Sequence, residues 1–300
     1  MITLLIAATL RMAIPYILAT TGGTYSVRVG ITDLGCEGMM IGGAFFGVIG
    51  SYYSGSPWVG LLCGMLAGVC FALMNGVLHI TFKVNPAISG VCVNLLSTAL
   101  APLLLKLIWD NESMSPLVNN FSNFGNTWLA RIPVLGEVLK TQNILFFITL
   151  GVVLVAWVFM FKTKFGLRMR MVGENPVAAS TVGLNTVAYK YFGEVVCGAL
   201  AGLAGVYLSL GQLNMFTEGM TAGRGYICMV INVISGYNPL RTILGGIFFA
   251  FFEALRTVVQ STAINANFLM MIPYIMTLIV IILSARRSLP PAGMGKHYDD

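Results

Sequence analysis

The amino-acid sequence predicts an all-α polytopic membrane protein with about 8–10 membrane-crossing helices. Composition is the first observation behind that reading. Of 300 residues, 57% are hydrophobic and only 9% charged, against about a quarter charged in a water-soluble domain. The second is length: apolar residues fall in runs close to the ~20 that a helix needs to cross the hydrocarbon of a bilayer. The third is the placing of charge. Lys and Arg gather at the ends of apolar runs, as the positive-inside rule expects, so the net charge of +6 reflects membrane topology and not a nucleic-acid surface.

The runs are read in order along the chain. The first covers residues 2–21 and contains Arg11. Others follow at 39–53, 58–82, 87–108, 143–161 and 188–212, then at 226–235, 240–259 and 268–284. The run 226–235 is too short to cross alone, so it is a short tilted span or half of a broken one. Residues 161–170 carry Lys162, Lys164, Arg168 and Arg170, and Arg286 and Arg287 follow the last run; both places belong in the cytosol, with Lys83 and Arg241. The loop 109–142, with Asp110, Glu112, Arg131, Glu137 and Lys140, falls on the opposite side. This puts the N-terminus outside if the first run crosses. No removable signal peptide is expected, because the apolar start lacks a basic stretch and a small-residue cleavage site. No linker divides the apolar blocks, so residues 1–288 read as one transmembrane domain, with a cytosolic tail at 289–300.

Glycines recur at four-residue intervals at Gly60, Gly64 and Gly68, at Gly43 and Gly47, and at Gly198 and Gly202. Each set forms a smooth helix face that lets backbones approach closely in lipid. Cys36, Cys63, Cys70, Cys92, Cys197 and Cys228 lie in apolar segments without CxxC spacing and read as small buried hydrophobes. His79 and His297 build no metal site with them. There is no GxxxxGK[ST] phosphate loop and no nucleophile–base spacing, so a transport subunit without its own ATPase site is expected.

Polar residues inside a membrane are costly and therefore informative. Asp33 and Glu37 are four residues apart, on one face if helical, and Gly30, Gly35 and Gly38 loosen the backbone around them. That pattern predicts a broken or re-entrant segment. The two carboxylates could couple protons or bind a polar solute, or could be satisfied by backbone amides, Arg11 or Arg28. Asn75, Asn94 and Asn232 lie within apolar runs, where an amide can donate and accept at once, toward a solute or toward another helix. Glu253 is expected to form an ion pair, with Arg256 three residues on and Arg241 upstream.

The distinctive soluble stretch is residues 166–184, inside a cytosolic loop at about 162–187. Asn175-Pro176 is a helix start, with Asn as the cap and Pro in the first turn. Ala178, Ala179, Thr181 and Val182 then give a small, half-apolar helix ended by Gly183. Such a helix is suited to docking into another protein.

At this loop the sequence resembles the permease subunits of bacterial ATP-binding-cassette importers, in the branch that handles branched-chain amino acids, ribose-type sugars and nucleosides. Similar segments cover nearly the whole chain. They are residues 166–184, the stretch Gly30-Ile-Thr-Asp-Leu-Gly-Cys-Glu-Gly-Met-Met40, the stretch Asn85-Pro-Ala-Ile-Ser-Gly-Val-Cys-Val-Asn-Leu-Leu96, and the late Gly223-Arg-Gly-Tyr226 and Gly236-Tyr-Asn-Pro239. The EGMM and SG-x-x-x-N-L-L elements look most like the shorter nucleoside-type permeases. The resemblance implies a bacterial cytoplasmic-membrane protein that pairs with a second, longer permease, or with itself. A cytosolic ATP-binding subunit would dock at Arg168, Arg170, Gly173, Glu174, Asn175, Pro176 and Ala179, and an extracytoplasmic lipoprotein would deliver the solute. No cofactor is implied, because ATP is bound by the partner subunit. Nucleosides or related purine compounds are the implied cargo, along a path that includes Asp33, Glu37, Asn75, Asn94 and Asn232. A ribose-type sugar importer or a stand-alone ion-coupled carrier are the alternatives. Asp33 departs from the family, which commonly has Asn there.

Overall fold

The computed structural model describes residues 2–111, 113–121, 142–259, 275–280, 282 and 290–295. The chain forms helices α1 (Ile2–Arg28), α2 (Cys36–Ser54), α3 (Pro57–Gly76), α4 (Pro86–Trp109) and α5 (Ile144–Lys162). After these come α6 (Lys164–Glu174), α7 (Pro176–Thr181), α8 (Thr186–Val206), α9 (Arg224–Ile234) and α10 (Pro239–Val259). Wider π turns continue α3 through Val77–Thr81 and α8 through Tyr207–Leu213. Asparagine starts several of these helices: the side-chain oxygens of Asn85, Asn175 and Asn185 accept from the amides of Ala87, Ala178 and Ala188 at 2.9–3.0 Å. Each satisfies a donor that the first helical turn leaves orphaned.

Among the described residues, 5 helices are long and apolar enough to cross a bilayer: Leu5–Arg28, Pro57–Thr81, Pro86–Trp109, Ile144–Lys162 and Thr186–Leu213. The first extends past the predicted end at residue 21. Hydropathy falls there, but the hydroxyls of Thr21 and Thr24 bond back to the carbonyls of Ile17 and Thr20 at 2.7 and 2.9 Å, so the helix stays compatible with burial. Helix α8 is the centre of the fold, whereas α4 and α5 are largely unburied, exposing Leu95, Leu103, Leu107, Leu154 and Val155. Those two face lipid or another subunit. Helix α2 is enclosed by protein, so its glycines need no lipid-facing hydrophobicity.

The predicted glycine stripes lie against one another. Helix α2 packs on α3 and α8 with almost no side chain between backbones. A Cβ on Gly43 would sit 2.4 Å from the Cα of Gly202, and one on Gly68 would sit 2.2 Å from the carbonyl oxygen of Gly198. No larger residue fits such contacts, and in lipid this close packing is what holds helices together.

Two interruptions break the regular bundle. Residues 31–35 are non-helical between α1 and α2, and residues 214–223 form turns before α9. Helix α9 has 11 residues, too few to cross, so the short run 226–235 is the half-span and not a tilted whole one. The amide of Gly225 meets the carboxylate of Glu37 at 2.6 Å, so the two broken helices begin side by side. They lie well inside the fold. Cys197, against the start of α2, stands about 16 Å along α8 from Thr186 at 1.5 Å per residue.

The end of α1 and the loop α6–α7 share one end of the molecule. Gly173 packs so closely that a Cβ would lie 2.2 Å from the carbonyl oxygen of Arg28, and Arg28 donates to the carbonyl of Tyr237 beyond α9 at 2.9 Å. Residues 113–118 pair with 214–218 elsewhere, Ser115 donating to the Phe216 carbonyl at 2.9 Å. Most of the last predicted run, 268–284, lies outside the described residues, of which 275–280 are helical. Glu112, Arg131, Glu137, Lys140, Arg286, Arg287 and His297 also lie outside them.

Replacing Gly68 by valine is expected to cost about 2 kcal/mol or more through overpacking of the seam, read as a lower melting temperature in detergent. Gly151→Ala, where nothing lies within 4 Å of the added Cβ, is expected to leave melting unchanged.

Candidate functional site

The paired starts of α2 and α9 organise the polar interior. Gly223, in the left-handed region at φ +77, turns the chain into α9, and the Glu37 carboxylate receives the amides behind that turn. It accepts from the Thr221 hydroxyl at 2.6 Å, the Gly223 amide at 2.9 Å and the Gly225 amide at 2.6 Å. A negative group at the positive end of a helix is favourable, most of all away from water. Asn94 on α4 serves α2 in the same way: its oxygen accepts from the Gly38 amide at 2.7 Å, and its amide donates to the Leu34 carbonyl and to the Tyr226 hydroxyl at 2.8 and 2.9 Å. Asn232 accepts from the Thr24 hydroxyl at 2.7 Å, tying α9 to α1.

Asp33 belongs to a different cluster. One carboxylate oxygen accepts from the Gly35 amide at 2.9 Å and from the Asn75 amide at 3.4 Å, and the other accepts from the Cys197 thiol at 2.9 Å. Asn75 also donates to Glu194 at 3.3 Å. The expected shared face of Asp33 and Glu37 is therefore not formed: α2 begins at Cys36, between them, and only Glu37 is helical. Backbone amides do satisfy the two carboxylates, while Arg11 and Arg28 do not; Arg28 is spent on the carbonyls of Gly236 and Tyr237. Among the described residues, no Lys or Arg forms an ion pair with Asp33 or Glu194.

A cavity of about 190 Å³ reaches this cluster, lined by Gly23, Val27, Asp33, Cys36, Asn232 and Met294, among others. Its lining is almost wholly apolar, with Asp33 and Asn232 as the polar residues and Cys36, Cys228, Met229 and Met294 contributing sulfur. Ligand atoms of Asp33, Cys36 and Cys197 lie within 4.8 Å of one another, a grouping that the sequence did not reveal. The cysteines divide: Cys36, Cys197 and Cys228 are buried, Cys63 is half-buried, and Cys70 and Cys92 are exposed on the apolar surface. Lipid accounts for the difference, since an apolar run need not face protein.

Glu253 forms its ion pair with Arg224, not with Arg256 or Arg241. Arg224 opens α9 and faces Glu253 across the helix interface, where both are largely shielded, and the Tyr16 hydroxyl donates to the same carboxylate at 2.8 Å. Sequence neighbours along a helix cannot compete with such a partner. Two residues escaped the sequence reading, Glu194 and Lys190, both buried on α8. Their signal was present, an acid and a base inside an apolar run.

In the loop, Arg168 is exposed, Arg170 stacks over the Phe161 ring at 4.9 Å, and Glu174 accepts from the Ala292 amide at 3.2 Å. Asn175 caps α7 and Pro176 is its first residue. Gly173 and Ala179 are buried, so of the small residues expected on the docking face these two point inward. The exposed apolar residues here are Leu167, Val177 and Val182, at 61%, 58% and 64% exposure.

Broken spans meeting at helix starts, a cavity beside them and a structured basic loop define a membrane transport subunit. Residues 5–281 match the family described as the permease component of branched-chain amino acid transport systems, and the chain belongs to that family. It is 33% identical to the nucleoside ABC transporter permease NupC of Lactococcus lactis, over 98% of this chain and 96% of that protein. It is 32% identical to the guanosine ABC transporter permease NupQ of Bacillus subtilis, over 99% and 97%. A putative glucose ABC transporter permease of Haloferax volcanii is 32% identical over 87% of this chain and 79% of that protein. The chain is thus a multi-pass membrane component of an ABC system that also has ATP-binding and substrate-binding parts.

Glu37→Ala strands two buried amides and a hydroxyl, each costing about 1–3 kcal/mol; melting in detergent is expected to fall sharply, and less for Glu37→Gln, which keeps one acceptor. Asp33→Asn keeps an acceptor for Gly35 and removes a buried carboxyl group that no described Lys or Arg pairs, so the variant is expected to melt at or above the parent temperature.

Proposed function

We propose that this chain is the membrane-spanning permease of an ATP-driven importer for nucleosides or related purine compounds. The observation that carries the reading is near-end-to-end similarity to permeases named for nucleosides and guanosine. In this reading the protein lies in the bacterial cytoplasmic membrane, with the basic loop and the C-terminus in the cytosol and the start of α1 outside. A separate ATPase docks on Leu167, Arg168, Glu174, Asn175, Val177 and Val182, with Arg170 and Pro176 half-buried beside them and Gly173 and Ala179 shaping that surface from within. A second permease covers the bare faces of α4 and α5, and an external lipoprotein delivers the solute.

The polar residues divide by how fully they are used. Glu37 and Asn94 are occupied by helix starts, so they hold the path in shape, whereas Asn232 uses its oxygen on Thr24 and also lines the cavity. Asp33 lines the cavity, where a carboxylate oxygen suits an acceptor for a ribose hydroxyl or a base amino group; the Asn75 oxygen behind it is enclosed and has no hydrogen-bond partner. The Haloferax relative favours a second reading, in which the cargo is a sugar.

Reconstituting the complex in liposomes tests both. Uptake of labelled guanosine is expected to require ATP and to be competed by adenosine more than by ribose or glucose. Uptake that is indifferent to ATP rejects the importer, and competition by sugars alone rejects the nucleoside. In the same system Val177→Asp is expected to lower ligand-stimulated ATP hydrolysis about tenfold, the loss of one interface anchor worth roughly 1.4 kcal/mol, with the membrane domain still folded.

A further inference from the structure

Residues 290–295 return from the far end of the sequence to the loop end of the molecule. The segment folds into a turn, the Met294 amide donating to the Pro291 carbonyl at 3.0 Å. It then makes three hydrogen bonds to two separate parts of the fold. The Gly293 amide donates to the Gly173 carbonyl at 3.0 Å and the Ala292 amide to the Glu174 carboxylate at 3.2 Å, both in the α6–α7 loop. The Gly295 amide donates to the Gly30 carbonyl at 2.9 Å, at the start of the broken stretch that carries Asp33. At Gly293 the contact is close: a Cβ there would lie 2.6 Å from the Gly173 carbonyl oxygen and 3.1 Å from the Pro176 ring. Between these anchors Met294 lines the cavity that holds Asp33 and Asn232.

We propose that residues 290–295 are the loop-side gate of that cavity, with Met294 as its stopper, and that the docking loop moves the gate through Gly173 and Glu174. This rests on the importer reading given above. The strap is attached to the surface that receives the ATPase and to the segment that carries Asp33, so a displacement of the loop changes where Met294 sits. Methionine suits a stopper that must seat and unseat, being apolar, unbranched and adaptable in shape. Of its anchoring hydrogen bonds, the one from Ala292 to Glu174 is exposed, so water can replace it when the strap lifts.

The test uses the complete reconstituted complex and reads ATP hydrolysis without ligand, hydrolysis with the loaded binding protein, and guanosine transported per ATP. Met294→Ala unseats the stopper, and Gly293→Val forces the strap from Gly173. Each is expected to raise hydrolysis without ligand by at least about fivefold, the lower end of ordinary coupling between two sites, and to lower guanosine moved per ATP. Met294→Leu is expected to restore parent behaviour, which a purely structural loss would not predict. Parent-like hydrolysis without ligand and parent-like coupling in Met294→Ala overturn the gate, whether or not Gly293→Val assembles. If the parent complex moves no guanosine while the variants still raise hydrolysis, the gate stands and the nucleoside reading falls.

Discussion

Glu37 accepts three hydrogen bonds from the turn that begins α9, two of them fully buried in the protein. A half-span can exist only where its free amides find acceptors, and here the carbonyls of Thr221 and Gly223 take three of the first-turn amides while a carboxylate from α2 takes that of Gly225. The placing of α9 beside α2 follows from that contact. So does the position of Asn232 against α1 and of Tyr226 under Asn94, since both residues ride on α9. The irregular backbone of residues 31–35 is likewise tolerable because Asn94 donates to the Leu34 carbonyl and the Asp33 carboxylate accepts from the Gly35 amide, while Asn75 and Cys197 donate to that carboxylate.

Much of this was legible in the residues. Apolar runs gave the spans, the glycine intervals gave the faces that now touch, and Asn175-Pro176 gave the start of α7. Glu37 and the three asparagines stood out because polarity is expensive in lipid. What they bond to was not legible, because the partners lie far along the chain: Glu37 and Gly225 are 188 residues apart, and Asp33 and Cys197 are 164. Local rules failed where tertiary contacts overrode them. The four-residue spacing of Asp33 and Glu37 means nothing once the helix starts between them, and Arg256 loses Glu253 to a cation on another helix. Ala179 looked like a surface residue by composition, yet α7 turns it inward and shows Val177 instead.

The end of the molecule that carries the basic loop is also where the most distant parts of the chain converge. Arg28 closes α1, Tyr237 follows α9, Gly173 ends α6, and Gly293 belongs to the tail. Arg28 reaches Tyr237 through its guanidinium, but the tail meets Gly173 and Gly30 directly, amide to carbonyl through glycine. Such a joint transmits displacement with little slack, because a backbone has fewer ways to yield than a long side chain has.

The seam of Gly43, Gly64, Gly68, Gly198 and Gly202 has a thermal consequence. Helices that meet in lipid exchange one apolar neighbour for another, so their association releases no water from apolar surface and owes little to hydration entropy. Its strength comes from dispersion between closely spaced atoms. Contacts of that origin lack the large heat-capacity change that bends the stability of water-soluble cores with temperature. The centre of this protein should hold nearly the same cohesion in a cold membrane as in a warm one, while the watery loop end follows the curved behaviour of soluble domains.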